Sequence, residues 1–298
     1  MKPQRAWILL KSGRRLDLLD PDPEAWTDED LAIGLSRTYR WAGHSRWALP
    51  LSVAQHSLTV LALREAEGPL TAREALRELC HDSVEALIGW DCLAPLKPHL
   101  GPEFARLDRR LQAAVDWRYQ LPAWTEEDYA RHKHADRLAA ASEAHHVVGW
   151  SREDIRDILE IGLDPLEQDP LALPPGLKPW EPWPPALAAA RFLTRLQQLL
   201  STVKRESRIA GYRDAFARLP EAARRRCNRP PTDSLTDLLV CVEAGDASQS
   251  LEGLVVGGEQ DPDGSIDFEA EFLVFTTDDN PGGELIRVNG ANCHVEIL

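Results

Sequence analysis

The chain reads as a mainly α protein: a helical bundle with a short N-terminal β-hairpin and a small, mostly β (α+β) C-terminal module. Three observations carry that reading. Thr27, Ser52, Thr71, Thr125 and Ser151 each stand as a helix N-cap, and three positions after them come Asp30, Gln55, Glu74, Asp128 and Asp154. Gly43, Gly89 and Gly149 fall where those helices should stop. After Arg229-Pro230-Pro231 the helical spacing gives way to short clusters of β-formers between Gly, Asp, Asn and Pro turns.

Taken in order, Trp7 to Leu10 and Leu16 to Leu19 flank a turn at Ser12-Gly13 and predict the hairpin, which Asp20-Pro21-Asp22-Pro23 ends. Helices then follow to about residue 203. Ser52/Gln55 and Thr71/Glu74 have the composition of capping boxes, and the Asp residues place negative charge in first turns. The segment 163–185 carries eight prolines between Pro165 and Pro185 and reads as an extended connector, docked on the helices by Trp180 and Trp183. Ala186 to Val203 predicts one helix and Ser207 to Arg226 another, the latter ending in the basic run Arg224-Arg225-Arg226. Strands are expected at Leu238–Val242, Ile266–Thr276 and Leu285–Val288; Asp267 to Phe272 alternates with period two. This gives a helical domain over 1–205 and, over 206–298, a linker helix and a small module of unassigned role.

Composition narrows the function. With 298 residues, 43% hydrophobic and 28% charged, the chain has the make-up of a soluble globular protein. A net charge of −14 argues against gripping long nucleic acid, yet leaves room for a single nucleotide held by a few arginines. No apolar run is long enough to span a membrane, and the N-terminus does not have the form of a signal peptide. Five cysteines without a C-x-x-C pair fit a reduced, cytoplasmic protein.

The chemistry centres on Leu79-Cys80-His81-Asp82-Ser83-Val84-Glu85-Ala86, read as the middle of a helix. There His81 and Asp82 can reach one metal, with Glu85 a turn further on the same face. His56 and Asp136 each lie among apolar residues on other helices, where a polar side chain is costly without a partner. The pattern is His56, 24 residues, His81-Asp82, 53 residues, Asp136. Two imidazoles and two carboxylates suit one divalent first-row metal, with coordination positions left over for water and a phosphate oxygen. Glu85, near the metal but not needed as a ligand, is placed for proton transfer.

Several segments in the same order strengthen this: Ser12 to Pro21, Arg40-Trp41-Ala42-Gly43-His44, Leu51 to Ser57, His81 to Ala86, Gly89-Trp90-Asp91 with Pro95-Leu96-Lys97, and Ala135-Asp136. Over roughly residues 7 to 203 the chain resembles the HD-domain metal-dependent phosphohydrolases, and within them the bacterial 5′-deoxynucleotidases and their prophage-encoded relatives. The resemblance implies an HD-domain helical bundle in which His56, His81, Asp82 and Asp136 hold one Mn²⁺, Co²⁺ or Fe²⁺, with Zn²⁺ or Mg²⁺ as alternatives. It gives Glu85 the hydrolytic step, Arg40 the phosphate, Trp41 the sugar face and Asp91 the sugar hydroxyl side. It implies hydrolysis of a small nucleotide, most directly a deoxynucleoside 5′-monophosphate, and suggests a homodimer. Two alternatives stand beside it: a triphosphohydrolase or signalling-nucleotide phosphodiesterase built on the same site, and a non-catalytic nucleotide sensor that signals to a protein partner through the C-terminal module.

Other residues read as bystanders. Arg37 and Arg46 compete with Arg40. His132, His134, His145 and His146 read as a solvated helix face and not a second metal cluster, His44 and His99 as loop residues, and Glu143 as a group that could orient a ligand.

Overall fold

The computed structural model describes residues 6–227, 239–244, 250–258, 271–277, 282–289 and 293–297. The architecture is mainly α, with a two-stranded antiparallel hairpin at the N-terminus and an antiparallel sheet at the C-terminus. It divides into two compact units, 1–201 and 202–298.

In the first unit, β1 (Trp7–Leu9) and β2 (Arg15–Asp17) pair with Ile8 opposite Leu16. The helices α1 (Asp28–Arg37), α2 (Val53–Glu67), α3 (Ala72–Leu79), α4 (Ser83–Ile88), α5 (Gly101–Tyr119), α6 (Glu126–Glu143) and α7 (Arg152–Asp157) follow. Thr27, Ser52, Thr71, Thr125 and Ser151 all cap helices, each side-chain oxygen accepting from a backbone N–H three residues on. The boxes are distributed differently from the expectation. Asp30 closes a reciprocal box on Thr27, as Glu74 does on Thr71. Gln55 does not reach back to Ser52: its amide donates to the Glu181 carbonyl, and its Oε1 accepts from the Trp183 backbone N–H at 2.7 Å. It thereby ties the Pro-rich connector to α2, and Trp180 and Trp183 are both buried.

The core of this unit gathers Leu31 and Leu35 of α1, Leu61 of α2, Leu76 and Leu79 of α3, Leu111 and Val115 of α5, and Phe192 and Leu196 further on. The i, i+3 or i, i+4 spacing puts each pair on one helix face, and a fully buried side chain of this size stabilises by about 1.5–3 kcal/mol. Two close approaches set the site. A Cβ on Gly34 of α1 would sit 2.9 Å from the Ala86 Cβ of α4, so glycine is what lets these helices meet. Ala135 and Ala139 of α6 pack against Val60 of α2 with no exposed surface, which brings those two backbones together.

The HD pair departs from the expectation. α3 ends at Leu79, Cys80 is its C-cap, and Asp82 is the N-cap of α4, so His81 and Asp82 occupy the break between two short helices and not the middle of one. The connection after residue 185 also differs. α8 (Pro185–Arg218) is one continuous helix, because residues 203–207 contain no Gly or Pro to stop it. The stop comes before Pro220, which cannot continue a helix, and α9 (Glu221–Arg224) is a single turn, so Arg225 and Arg226 lie beyond it.

In the second unit, β3 (Leu239–Ala244), β4 (Ser250–Gly257), β5 (Glu271–Thr276), β6 (Glu284–Asn289) and β7 (Cys293–Ile297) form a sheet of order β6-β5-β4-β3-β7 with every neighbour antiparallel. Tyr212 and Phe216 of α8 pack on Leu239, Leu254, Val256 and Phe275. β4 and β7 lie outside the expected strands, and the expected start of β5 at residues 266–270 lies outside the described residues.

Candidate metal centre

Cap and packing together aim His56. The Ser52 cap starts α2 so that His56 falls in its first full turn, completely buried. Its Nδ1–H donates to Glu143 Oε1 at 2.6 Å. Glu143 ends α6, and a π-helical turn (Ala144–Val148) follows it. Its other oxygen, Oε2, accepts from Arg40 Nε at 3.0 Å and from Trp41 Nε1 at 3.3 Å. His81 is held in the same tautomer, because its Nδ1 donates to the Glu78 carbonyl at 2.7 Å.

With both Nδ1 atoms engaged, both Nε2 atoms face inward. His56 Nε2 lies 3.5 Å from Asp82 Oδ2 and 3.4 Å from Asp136 Oδ1; His81 Nε2 lies 3.2 Å from Asp82 Oδ2. Neither Nε2 has a hydrogen-bond partner, although both are buried. Nitrogens and carboxylate oxygens crowded together this way call for positive charge between them, a proton or a metal ion. Ligand atoms about 2.0–2.2 Å from one ion stand roughly 3–3.5 Å apart, which is the spacing seen. The ligand atoms of His56, His81 and Asp82 all fall within 4.8 Å of one another. His56, His81 and Asp82 could therefore hold a metal ion, with Asp136, Glu85 and Arg40 beside them.

The ionisation of the surrounding groups points the same way. Burial and Arg40 both oppose charge on His56, yet Glu143 and Asp136 outweigh them and lift its pKa to about 9. Burial raises the Asp82 and Asp136 carboxyls, but the histidines overcome it and hold both well below the usual carboxylate range. Lys133 adds to this at Asp136, with Nζ 2.8 Å from Oδ2. Glu85 goes the other way. Burial, reinforced by Asp82 and Asp91, pushes it up to about 10, and Arg40 and Lys97 offset this only in part. At neutral pH it therefore carries a proton, and its buried Oε2 has no partner.

Arg40 sits across this group, 3.8 Å from Asp82 and 3.9 Å from Asp91. Burial alone would weaken its charge; Glu143, Asp91 and Asp82 more than restore it. Its turn is strained: Trp41 (φ 57°, ψ 32°) and Ala42 (φ 51°, ψ 30°) are both left-handed, a conformation that costs of order 1–3 kcal/mol per residue. From this turn Arg40 and Trp41 both donate to Glu143 Oε2. Arg37 is exposed, and the Arg46 guanidinium lies over Trp47, so neither takes the place of Arg40.

The remaining histidines separate. His134, His44 and His99 are exposed. His145 meets the Trp150 carbonyl, and His146 meets the Leu166 carbonyl and stacks on Trp180. His132 corrects the expectation of a solvated face: it is buried, with Nδ1 2.7 Å from Glu78 Oε2. Glu78, Arg64 and Lys133 carry no motif that marks them in the sequence. The sequence signals for Glu78 and Arg64 are short spacings, Glu78 three before His81 and Arg64 eight after His56, which are too common to stand alone.

No family model matches the chain. An uncharacterized protein of Rhodobacter capsulatus, RCAP_rcc00048, is 40% identical over 153 residues, which cover 51% of this chain and 78% of that protein. The chain belongs to the same family as that Rhodobacter protein.

Proposed function

We propose that this protein is a metal-dependent phosphohydrolase of small nucleotides, most directly of deoxynucleoside 5′-monophosphates. The observation that carries the reading is the convergence of two partnerless, buried imidazole Nε2 atoms on Asp82 and Asp136, with a buried Glu85 and a buried Arg40 alongside.

His56, His81, Asp82 and Asp136 would hold the ion. When bound, it supplies Lewis acidity and a water acidic enough to attack phosphorus at neutral pH. The chain's own residues do the rest. Arg40, kept charged and oriented by Glu143, binds phosphate oxygens and takes up charge that grows during transfer. Glu85 holds its proton through burial and the neighbouring carboxylates, and can deliver it to the departing sugar oxygen. Trp41 and Asp91 both touch the Arg40–Glu143 pair, which supports their assignment to the sugar end of a substrate bound at Arg40. A nucleoside triphosphate is a second reading, favoured by Lys97 and Lys133, two half-exposed ammonium groups beside the acidic cluster. Among the described residues no helix is long and apolar enough to cross a membrane.

The test is product release from a panel of nucleotides in Mn²⁺, Co²⁺, Mg²⁺ and EDTA, with Asp82→Ala as control. Orthophosphate from deoxynucleoside monophosphates, abolished by EDTA and by the substitution, is the expected result. Tripolyphosphate would select the second reading. Metal bound without turnover of any nucleotide would leave a sensor, and no metal bound would remove the centre altogether.

A further inference from the structure

Beneath the proposed centre lies a second buried cluster that its chemistry does not use. Glu78 Oε1 accepts from Arg64 Nε at 2.8 Å, and Glu78 Oε2 accepts from His132 Nδ1 at 2.7 Å. Arg64 and Glu78 are 2% exposed and His132 is 4% exposed. Each member lies close in sequence to a proposed ligand. Arg64 follows His56 by eight positions in α2, Glu78 precedes His81 by three, and His132 precedes Asp136 by four in α6. In α2 and α6 these separations fall on one helix face, and Glu78, in the last turn of α3, lies just ahead of the break that holds His81. Glu78 joins the two clusters, since its backbone carbonyl is the acceptor that orients His81. The His132 ring meets His81 edge-on at 4.8 Å and stacks on Trp124 at 4.7 Å.

A buried ion cluster is a weak source of stability, because apolar residues of similar volume often serve as well or better; its best-attested use is to specify register. Here the register belongs to three elements that must present four ligand atoms to one point, and such a site tolerates misplacement of only about 0.5 Å. Both oxygens of Glu78 are engaged, from opposite neighbours. A slip or rotation of either α2 or α6 against α3 breaks one of the two bonds. We propose that Glu78, clamped by Arg64 and His132, is a positioning residue that sets the spacing of the metal ligands. The inference rests on the metal-centre reading above.

The experiment is a Co²⁺ titration of the metal-free full chain, followed by visible absorbance, with thermal unfolding of each metal-free variant alongside. Glu78→Gln keeps the backbone carbonyl and the side-chain shape but removes the charge that holds both clamps. A 10- to 100-fold loss of Co²⁺ affinity is expected, with an altered absorbance envelope. Glu127→Gln is the control: it breaks the exposed Arg131–Glu127 ion pair on α6 and should leave affinity and spectrum unchanged. Should Glu78→Gln not fold, the apolar triple replacement Arg64→Met, Glu78→Leu, His132→Leu answers the same question. A folded triple variant with weakened Co²⁺ binding supports positioning; wild-type affinity and spectrum in either folded variant overturn it. A wild-type chain that binds no Co²⁺ is a different failure, because it removes the metal centre itself and the positioning role with it.

Discussion

His56 Nδ1 and Glu143 Oε1 are 2.6 Å apart across 87 positions of sequence, both fully or nearly fully buried. The contact fixes the imidazole tautomer, and through its second oxygen Glu143 also orients Arg40. One carboxylate thus sets both a proposed metal ligand and the proposed phosphate-binding group.

Glu143→Gln should weaken metal binding by about 10- to 100-fold and raise KM for the phosphate-bearing substrate, because Arg40 loses its orienting partner. Calorimetric metal titration and steady-state kinetics check the two effects separately. Unchanged values for both would mean that His56 and Arg40 are aimed by packing alone.

Glu85→Gln should reduce turnover by about 10²- to 10⁴-fold while leaving metal bound. The same substitution should stabilise the metal-free chain at neutral pH. Because burial, Asp82 and Asp91 raise the Glu85 pKa to about 10, it favours the folded state most when protonated in both states. That benefit shrinks as pH rises above its ordinary value near 4.5. Glutamine mimics the protonated form at every pH, so melting temperature should rise as activity falls. A variant that turned over normally would remove Glu85 from the chemistry.

Stability of the EDTA-treated chain should decline from about pH 5 to about pH 9. His56 has a folded pKa raised to about 9, so its contribution is whole below about 6.5 and is lost as pH climbs through 9. Glu85 acts in the same direction. Asp82 and Asp136 are depressed, so their contribution is present above about 3.9 and is lost only in acid. Saturating metal should flatten the His56 part of the alkaline decline, because the ion replaces the Nε2 proton. Thermal melts across pH, with and without metal, check this; identical slopes would contradict it.

Gly34→Ala should destabilise by about 1–3 kcal/mol, since its new Cβ would fall 2.9 Å from both the Ala86 Cβ and carbonyl oxygen. Ala86 adjoins Glu85, so turnover should drop as well, with metal affinity less affected. Chemical denaturation and kinetics of the variant measure both.

Much of the fold was legible because it is locally encoded. An N-cap acts within one turn, so Thr27, Ser52, Thr71, Thr125 and Ser151 announced their helices without knowledge of the rest of the chain. The hairpin and the polar residues His56 and Asp136 among apolar neighbours were equally visible, since an isolated buried polar group demands a partner. What the sequence determined, then, was where helices begin and which side chains require company. Tertiary structure decided which company they keep. Gln55 has the residue type for a capping box, yet Trp183, 128 positions away, takes its side chain. His132 looked solvated until Glu78, 54 positions earlier, was brought against it. His81 and Asp82 sit at a helix break because α3 and α4 pack as separate short pieces, one beside α2 and the other against Gly34. Capping energies depend on a few neighbouring residues, whereas these pairings depend on which helix faces meet, and only the packed core settles that.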